Sequence, residues 1–311
     1  MPRLSDKAPR LSDKMTGSLI TKLSSRRRSA LSPCLRLVAA LALAAAMNPA
    51  AGQDEPQQEE SHDELPPEPP VLSYEGSPLV VPLDCAYDHF SRAGIVCSDV
   101  TPCDLFIELT AVENAGDNVF LIGNIHTPAA TISTILLASA DGGRNWREPI
   151  PRYSGAGFDL IQFVDPAHGW IGGQEGDYDR STKPLLLAST NGGSRWERYP
   201  ISEDEDALGA VLEFFFDTQD HGLLIVDLLV SEGDPYELYE TLNGGRSWNI
   251  RQIASQKPRL TNRSVADNPV QWRISENAAD GVYEVNRKEQ GEWLLKSKFA
   301  VGVGSCLSMD R

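Results

Sequence analysis

One octet recurs three times in this chain, and it limits the architectures open to it. Ser139-Ala140-Asp141-Gly142-Gly143-Arg144-Asn145-Trp146 returns as Ser189-Thr190-Asn191-Gly192-Gly193-Ser194-Arg195-Trp196, and again as Thr241-Leu242-Asn243-Gly244-Gly245-Arg246-Ser247-Trp248. The three tryptophans are 50 and 52 residues apart. A fixed period of that length marks a repeat architecture in which each unit is one supersecondary element. The octet has the chemistry of a hairpin corner. Asp or Asn bonds nearby backbone amides and tolerates left-handed dihedrals, Gly-Gly supplies positive φ, the hydroxyl adds a second local bond, and Trp packs beneath the turn.

The flanks of each octet read as short strands. Strand formers precede the corners at residues 134–137, 184–187 and 236–239, and a period-two strand follows the third corner at residues 248–253. Further upstream lie residues 107–112 and 119–123 in the first unit, 161–165 and 169–172 in the second, and 213–217 and 222–226 in the third. Four short strands per unit is the composition of a propeller blade. A fourth unit without the Gly-Gly corner repeats the strand order at residues 271–275, 282–285 and 291–294 around a turn at Asp280-Gly281. The expected fold is all-β: a β-propeller of four four-stranded blades, or five if residues 79–83 pair with the last blade. Blade boundaries fall near 104–155, 156–206, 207–262 and 263–306 within a domain spanning 78–311.

With Asp141 in the first corner and Asn191 and Asn243 in the others, the chain resembles the Asp-box, or BNR-repeat, propellers over residues 104–295. Their motif is Ser/Thr-x-Asp-x-Gly-x-x-Trp/Phe. An apolar strand ending in Asp165, then Gly169-Trp170-Ile171-Gly172, then the Gly-Gly-x-x-Trp box is most similar to the photosystem assembly-factor branch, and to exported bacterial propellers of unassigned role. The resemblance implies that the box residues (Ser139, Asp141, Gly143, Trp146; Ser189, Asn191, Gly193, Trp196; Thr241, Asn243, Gly245, Trp248) are structural, on the outside of the propeller and away from its central pocket. The better-known branches carry six or seven blades.

Charge is distributed unevenly along the chain. Of 28 basic residues, nine fall in residues 1–52, where Arg26-Arg27-Arg28 precedes an eleven-residue apolar run at 37–47 and then Asn48-Pro49-Ala50-Ala51-Gly52. A positive region, an apolar region and small residues, in that order, form a secretory signal. Cleavage is expected after Gly52, and translation could begin at Met1 or Met15. An uncleaved anchor is the rival reading, but the run is short beside the roughly 18 apolar residues a membrane span needs. Residues 53–77 are acidic and Pro-rich, with seven acids and no basic residue up to Pro70, which reads as a disordered linker. The acidic balance, formal net charge −16, argues against nucleic-acid binding. The expected location is periplasmic or extracellular, with envelope association as the alternative, no membrane span in the mature form and a monomeric state.

Export directs how the cysteines are read. Cys34 lies in the signal region, leaving Cys85, Cys97, Cys103 and Cys306, an even set with three possible pairings. We expect one bridge to tie Cys306 to the 85–103 region. Spacings of 12 and 6 residues with no companion histidines do not suit zinc.

Candidate sites are few. Sialidase chemistry needs an arginine cluster, a Tyr activated by Glu and an acidic Asp; the family's Arg-Ile-Pro signature is missing, and Arg147-Glu148-Pro149-Ile150-Pro151 is not that motif. Arg144, Arg195 and Arg246 sit inside the boxes, and His168 and His221 occupy matching turns. No nucleophile elbow, phosphate loop or His-Glu-x-x-His motif occurs. One loop departs from the repeat and offers a binding site for a basic partner or calcium: Glu175, Asp177, Tyr178, Asp179 and Arg180. Glu203-Asp204-Glu205-Asp206 is a second acidic loop. No catalytic residue, cofactor or resident metal is assigned. The function expected is an exported, non-catalytic scaffold for a protein or glycan partner. The alternatives are a glycoside hydrolase using axial acids such as Asp165, Glu175 or Asp227, and an envelope or photosystem-type assembly factor.

Overall fold

The computed structural model describes residues 70–176, 181–204, 207–260 and 271–307. Residues 1–52, expected to form a signal, the expected linker up to residue 69, Asp177, Tyr178, Asp179 and Arg180, and Glu205 and Asp206 of the second acidic loop lie outside the described residues.

In chain order the elements begin with β1 (Leu72–Ser73) and the short helix α1 (Tyr87–Arg92). The first repeat gives β2 (Cys103–Ala115), β3 (Asn118–His126), β4 (Thr131–Ser139) and β5 (Asn145–Trp146). The second gives β6 (Ala156–Phe163), β7 (Gly169–Gly176), β8 (Thr182–Ser189) and β9 (Glu197–Arg198). The third gives β10 (Ala210–Phe216), β11 (Gly222–Asp227), β12 (Tyr236–Thr241) and β13 (Asn249–Ala254). Last come β14 (Trp272–Asn277), β15 (Val282–Glu289), β16 (Glu292–Ala300) and β17 (Gly302–Cys306).

Each repeat folds as an antiparallel meander, so the protein is an all-β chain of propeller blades. Sheet orders are β17-β2-β3-β4, β6-β7-β8-β9, β10-β11-β12-β13 and β14-β15-β16. Alternation explains which faces pack. In β3 and β4 nearly every residue is buried, and in β7 and β8 residues 169–173 and 185–189 are, because these stretches are covered on both faces by neighbouring sheets. Three apolar clusters fill the seams. One joins the fourth and first sheets around Trp146, Phe299, Ile107 and Val285. The second joins the first and second sheets around Phe120, Phe158, Phe163 and Trp196. The third joins the second and third sheets around Trp170, Phe216, Leu224 and Tyr239. Among the described residues no such cluster spans the third and fourth sheets.

The two ends of the body fasten the fourth sheet to the first. β17 does not extend the sheet of β16; it pairs antiparallel with β2, bringing Cys306 opposite Cys103. Cys85–Cys306 and Cys97–Cys103 are both bridged, so Cys306 is indeed tied to the 85–103 region. The segment before α1 also clasps outer edges. β1 pairs with β5, and Leu79 lies parallel to Phe299, accepting from Ala300 N–H at 2.9 Å and donating to the Lys298 carbonyl at 2.8 Å. Residue 79 thus does pair with the last sheet, through a single parallel bridge to Phe299.

Candidate functional site

Antiparallel register sorts the loops to two ends. The turns after each first strand (residues 116–117, 164–168, 217–221 and 278–281) share one end with the three octets, the box end. The turns after each second strand and the connections between sheets share the other, the loop end.

At the box end, each corner bonds itself. Ser139 Oγ donates to Asp141 Oδ1 at 2.9 Å and accepts Gly143 N–H at 2.9 Å, while Asp141 also accepts from Arg144 N–H, Asn145 N–H and Asn145 Nδ2. Partial burial pushes the Asp141 carboxyl up, but these donors outweigh it and hold the group below its ordinary value. Asn191 accepts from Ser189 Oγ and Arg195 N–H, and Asn243 from Thr241 Oγ1 and Ser247 N–H, so an amide oxygen serves where no second carboxylate oxygen is needed. Trp146 and Trp196 close their own boxes by donating Nε1–H to the Gly143 and Gly193 carbonyls at 3.0 Å. Trp248 lacks that acceptor. Instead the preceding blade's Trp170 donates to the Gly244 carbonyl at 2.9 Å. The boxes are therefore also joints between blades, a role the octet alone does not reveal. Box-end turns use histidine similarly: His168 Nδ1 lies 2.9 Å from Asp165 Oδ2, and His221 Nδ1 2.6 Å from Asp217 Oδ1. Arg144, Arg195 and Arg246 belong to this end.

At the loop end, a pocket of about 430 Å³ opens beside the second blade. Glu175, at the end of β7, is its hub. The helix α1, set between the Cys85–Cys306 and Cys97–Cys103 bridges in sequence, supplies Arg92, whose Nη1 lies 3.2 Å from Glu175 Oε1. β9 supplies Arg198, whose Nη1 lies 2.6 Å from Glu175 Oε2. Lys183, Tyr199, Ser202 and Asp204 also line its wall. Next to it, Tyr153 faces a second recess with Arg92 and Glu175; burial pushes its phenol up, so it is a neutral hydrogen-bond donor at neutral pH. Of the loop predicted to bind, the structure thus places Glu175, with both oxygens already held by arginines. Arg92, Arg198 and Tyr153 carry no motif and lie up to 83 positions from Glu175, so sequence patterning does not find them.

The acids Asp165, Glu175 and Asp227 are not brought together: Asp165 caps a box-end turn, and Asp227 accepts Leu229 N–H at the loop end. Other carboxylates do approach one another. The first strands of three blades share a β-bulge, which skips Thr110 in β2, Asp159 in β6 and Leu212 in β10. Gly173 sits across from the second bulge because a Cβ there would strike the Gly157 carbonyl. Burial raises the Asp159 carboxyl, and the charge of Glu108 raises it further. Among the described residues no group of three His, Cys, Asp or Glu is arranged to hold a metal ion, and no helix is long and apolar enough to cross a membrane.

No protein-family model matches the chain, and no curated protein matches it. Among solved structures it is similar to YCF48 bound to D1 peptide, at 19% identity and a TM-score of 0.34, covering 65% of this chain and 60% of that one. It is also similar to the GH74 xyloglucanase from Xanthomonas campestris, at 17% identity and a TM-score of 0.32, over 43% of this chain and 18% of that one. A third is the Trypanosoma rangeli sialidase in complex with sialic acid, at 10% identity and a TM-score of 0.30, over 63% of this chain and 39% of that one. The chain spans less than two thirds of the length of each.

Proposed function

We propose that this chain is an exported propeller that acts as a non-catalytic binding scaffold, and that it engages a carboxylate-bearing segment of a protein partner in the loop-end pocket. The observation that carries this reading is the pair of arginines from different elements, Arg92 and Arg198, converging on the one carboxylate of Glu175 inside a pocket. Arginine forks match carboxylates, and Glu175 occupies them much as an incoming acidic side chain would. Two disulfides suit an oxidising compartment and support export, which the signal-like residues 1–52 also favour. Cross-linking in the exporting cell should recover a partner whose capture falls at least tenfold in Arg198→Ala, whereas Glu175→Gln, which releases the arginines, should strengthen it. Capture unchanged in both variants would remove the pocket from the reading.

A glycoside hydrolase is the second reading, and one observation favours it. Desolvation and the charge of Glu108 raise the Asp159 carboxyl, the direction a general acid of glycoside cleavage takes. Turnover of sialosides or common polysaccharides that disappears in Asp159→Asn would put this reading first.

A further inference from the structure

The ladder between β1 and β5 is short for a chemical reason. Leu72 and Ser73 pair with Trp146 and Asn145, and the Tyr74 N–H continues the pairing to the Arg144 carbonyl at 2.9 Å. In the other direction the chain before Leu72 reads Leu65-Pro66-Pro67-Glu68-Pro69-Pro70-Val71, and the chain after Trp146 reaches Pro149-Ile150-Pro151. Proline has no N–H to give a ladder, so hydrogen-bonded pairing stops there. Proline-rich chain packs instead as polyproline II, which needs no backbone partner and advances about 3.1 Å per residue, close to the rise of a strand.

A groove of about 490 Å³ lies where the interrupted ladder points. Pro149, Ile150 and Pro151 line it from the first blade, Pro82 and Leu83 from the segment before α1, and Pro70, where the described chain begins, lines it too. Arg152 ties the two segments together. Its Nη2 donates to the Pro82 carbonyl at 2.9 Å, while Nε and Nη2 donate to the two oxygens of Glu148 at 2.8 and 2.7 Å, so the groove is preformed. The recess of Tyr153 shares Arg152 with this groove and leads on to Arg92 and Glu175.

We propose that this groove is the seat of the chain's own residues 65–69, and that their docking brings Glu64 to Arg92. The occupant is fixed by connectivity: Pro70 already lines the groove, so the residues before it start from inside. Carried back along the β1–β5 register, Pro66 would fall opposite Arg152 and Glu64 opposite Ser154, whose carbonyl accepts from Arg92 Nη1 at 3.4 Å. The apolar lining suits Leu65, Pro66, Pro67 and Pro69. A guanidinium carries five N–H donors, and among the described residues the bonds of Arg92, to Ser154 and Glu175, leave from Nη1. Nε and Nη2 keep capacity for a second carboxylate. A free proline-rich peptide or a second copy competes poorly, because the tether holds residues 65–69 at an effective concentration of about millimolar. On the reading given above for the loop-end pocket, Glu64 then competes with the carboxylate of a partner, so the linker sets the affinity of that pocket.

The test follows cleavage of the full chain by a glutamate-specific protease at two bonds, Glu60–Ser61 and Glu64–Leu65. Each rate is taken relative to the same bond in a free peptide of residues 56–72. Glu64–Leu65 should be cut at least tenfold more slowly than in the peptide, and Glu60–Ser61 about as fast. The Pro66→Gly, Pro67→Gly double variant, altered only in the linker and compared with its own peptide, should lose that protection while melting with the parent. Arg92→Gln should lose at least threefold of it. Equal relative rates at the two bonds overturn the proposal, and so does protection that survives in the double variant, which would reflect nearness to the folded body alone. Protection unchanged in Arg92→Gln removes Glu64 from that arginine and overturns it as well. Protection that fades on tenfold dilution would give the groove to the linker of a second copy. No partner enters these rates, so the seat of the linker and the capture of a partner stand or fall separately.

Discussion

The three boxes perform one task with different atoms, which makes them a controlled experiment in side-chain acceptors. Asp141 meets backbone and side-chain donors through both carboxylate oxygens, whereas Asn191 meets its two donors through one amide oxygen. Asp141→Ala leaves the Arg144 and Asn145 amides without that acceptor and should cost about 1 kcal/mol, as lost caps do. Asp141→Asn restores the arrangement of the second box and should cost a few tenths of that at neutral pH. The two forms separate in acid. Because the folded-state carboxyl lies below its ordinary value of 3.8, its contribution is present above that value and lost as pH falls through the folded value. Urea midpoints of the parent should therefore fall toward those of Asp141→Asn as pH drops; parallel curves down to pH 2 would contradict the assignment. Gly193 marks the inter-blade side of the same corner. Its φ is +76°, and a Cβ there would run into the Phe120 ring of the preceding blade. Gly193→Ala should lower stability by about 2 kcal/mol or more, with strain and overpacking adding, and thermal unfolding reads it directly.

At the scale of strands and edges, the chain protects its sheets with pieces distant in sequence. Leu79 is 7% exposed and sits beside Phe299 with two backbone bonds to β16. Leu79→Ala keeps those bonds and removes the buried side chain, so a loss of about 2–5 kcal/mol is expected from cavity formation alone. Amide exchange should then rise in β16 before it rises in residues 169–173 of β7 or 185–189 of β8, which are covered on both faces. This division also shows what the sequence discloses. The meander strands and corners of the three repeats are legible because their signals are local: alternation, Gly-Gly, and a Trp at fixed spacing. The fourth sheet is legible in three strands through the same alternation. Its cover is a single leucine more than 200 positions upstream; the sequence offers residues 79–83 as a partner for the last blade, but no local pattern fixes which residue pairs or where. The site divides in the same manner. Glu175 stands out as part of an irregular loop, but Arg92 becomes its partner only because α1, packed on β4, ends beside Gly155 and so reaches Glu175. Arg198 does so because a two-residue strand ends beside β8.

For the whole molecule, the two bridges do different amounts of work. Cys85–Cys306 encloses 221 positions, nearly the entire described body, whereas Cys97–Cys103 encloses 6. In the chain-entropy account the longer loop restrains the unfolded state by about 5 kcal/mol and the shorter one by about 2 kcal/mol. The larger bridge also fixes β17 against β2, which closes the seam between the fourth and first sheets around Trp146 and Phe299. Since no apolar cluster spans the third and fourth sheets among the described residues, this seam is the fourth sheet's main attachment. Replacing Cys85 and Cys306 by Ser should thus lower the melting temperature by more than replacing Cys97 and Cys103, and reductant should reproduce the larger shift. The loss should also be uneven. Exchange in β14, β15 and β16 should quicken first, while the seam between the second and third sheets, held by the stacked Trp170 and Phe216 rings 3.6 Å apart, keeps its protection. Uniform acceleration across all four sheets would mean that the bridge acts through the unfolded chain alone, and that the clasp adds nothing to the native fourth blade.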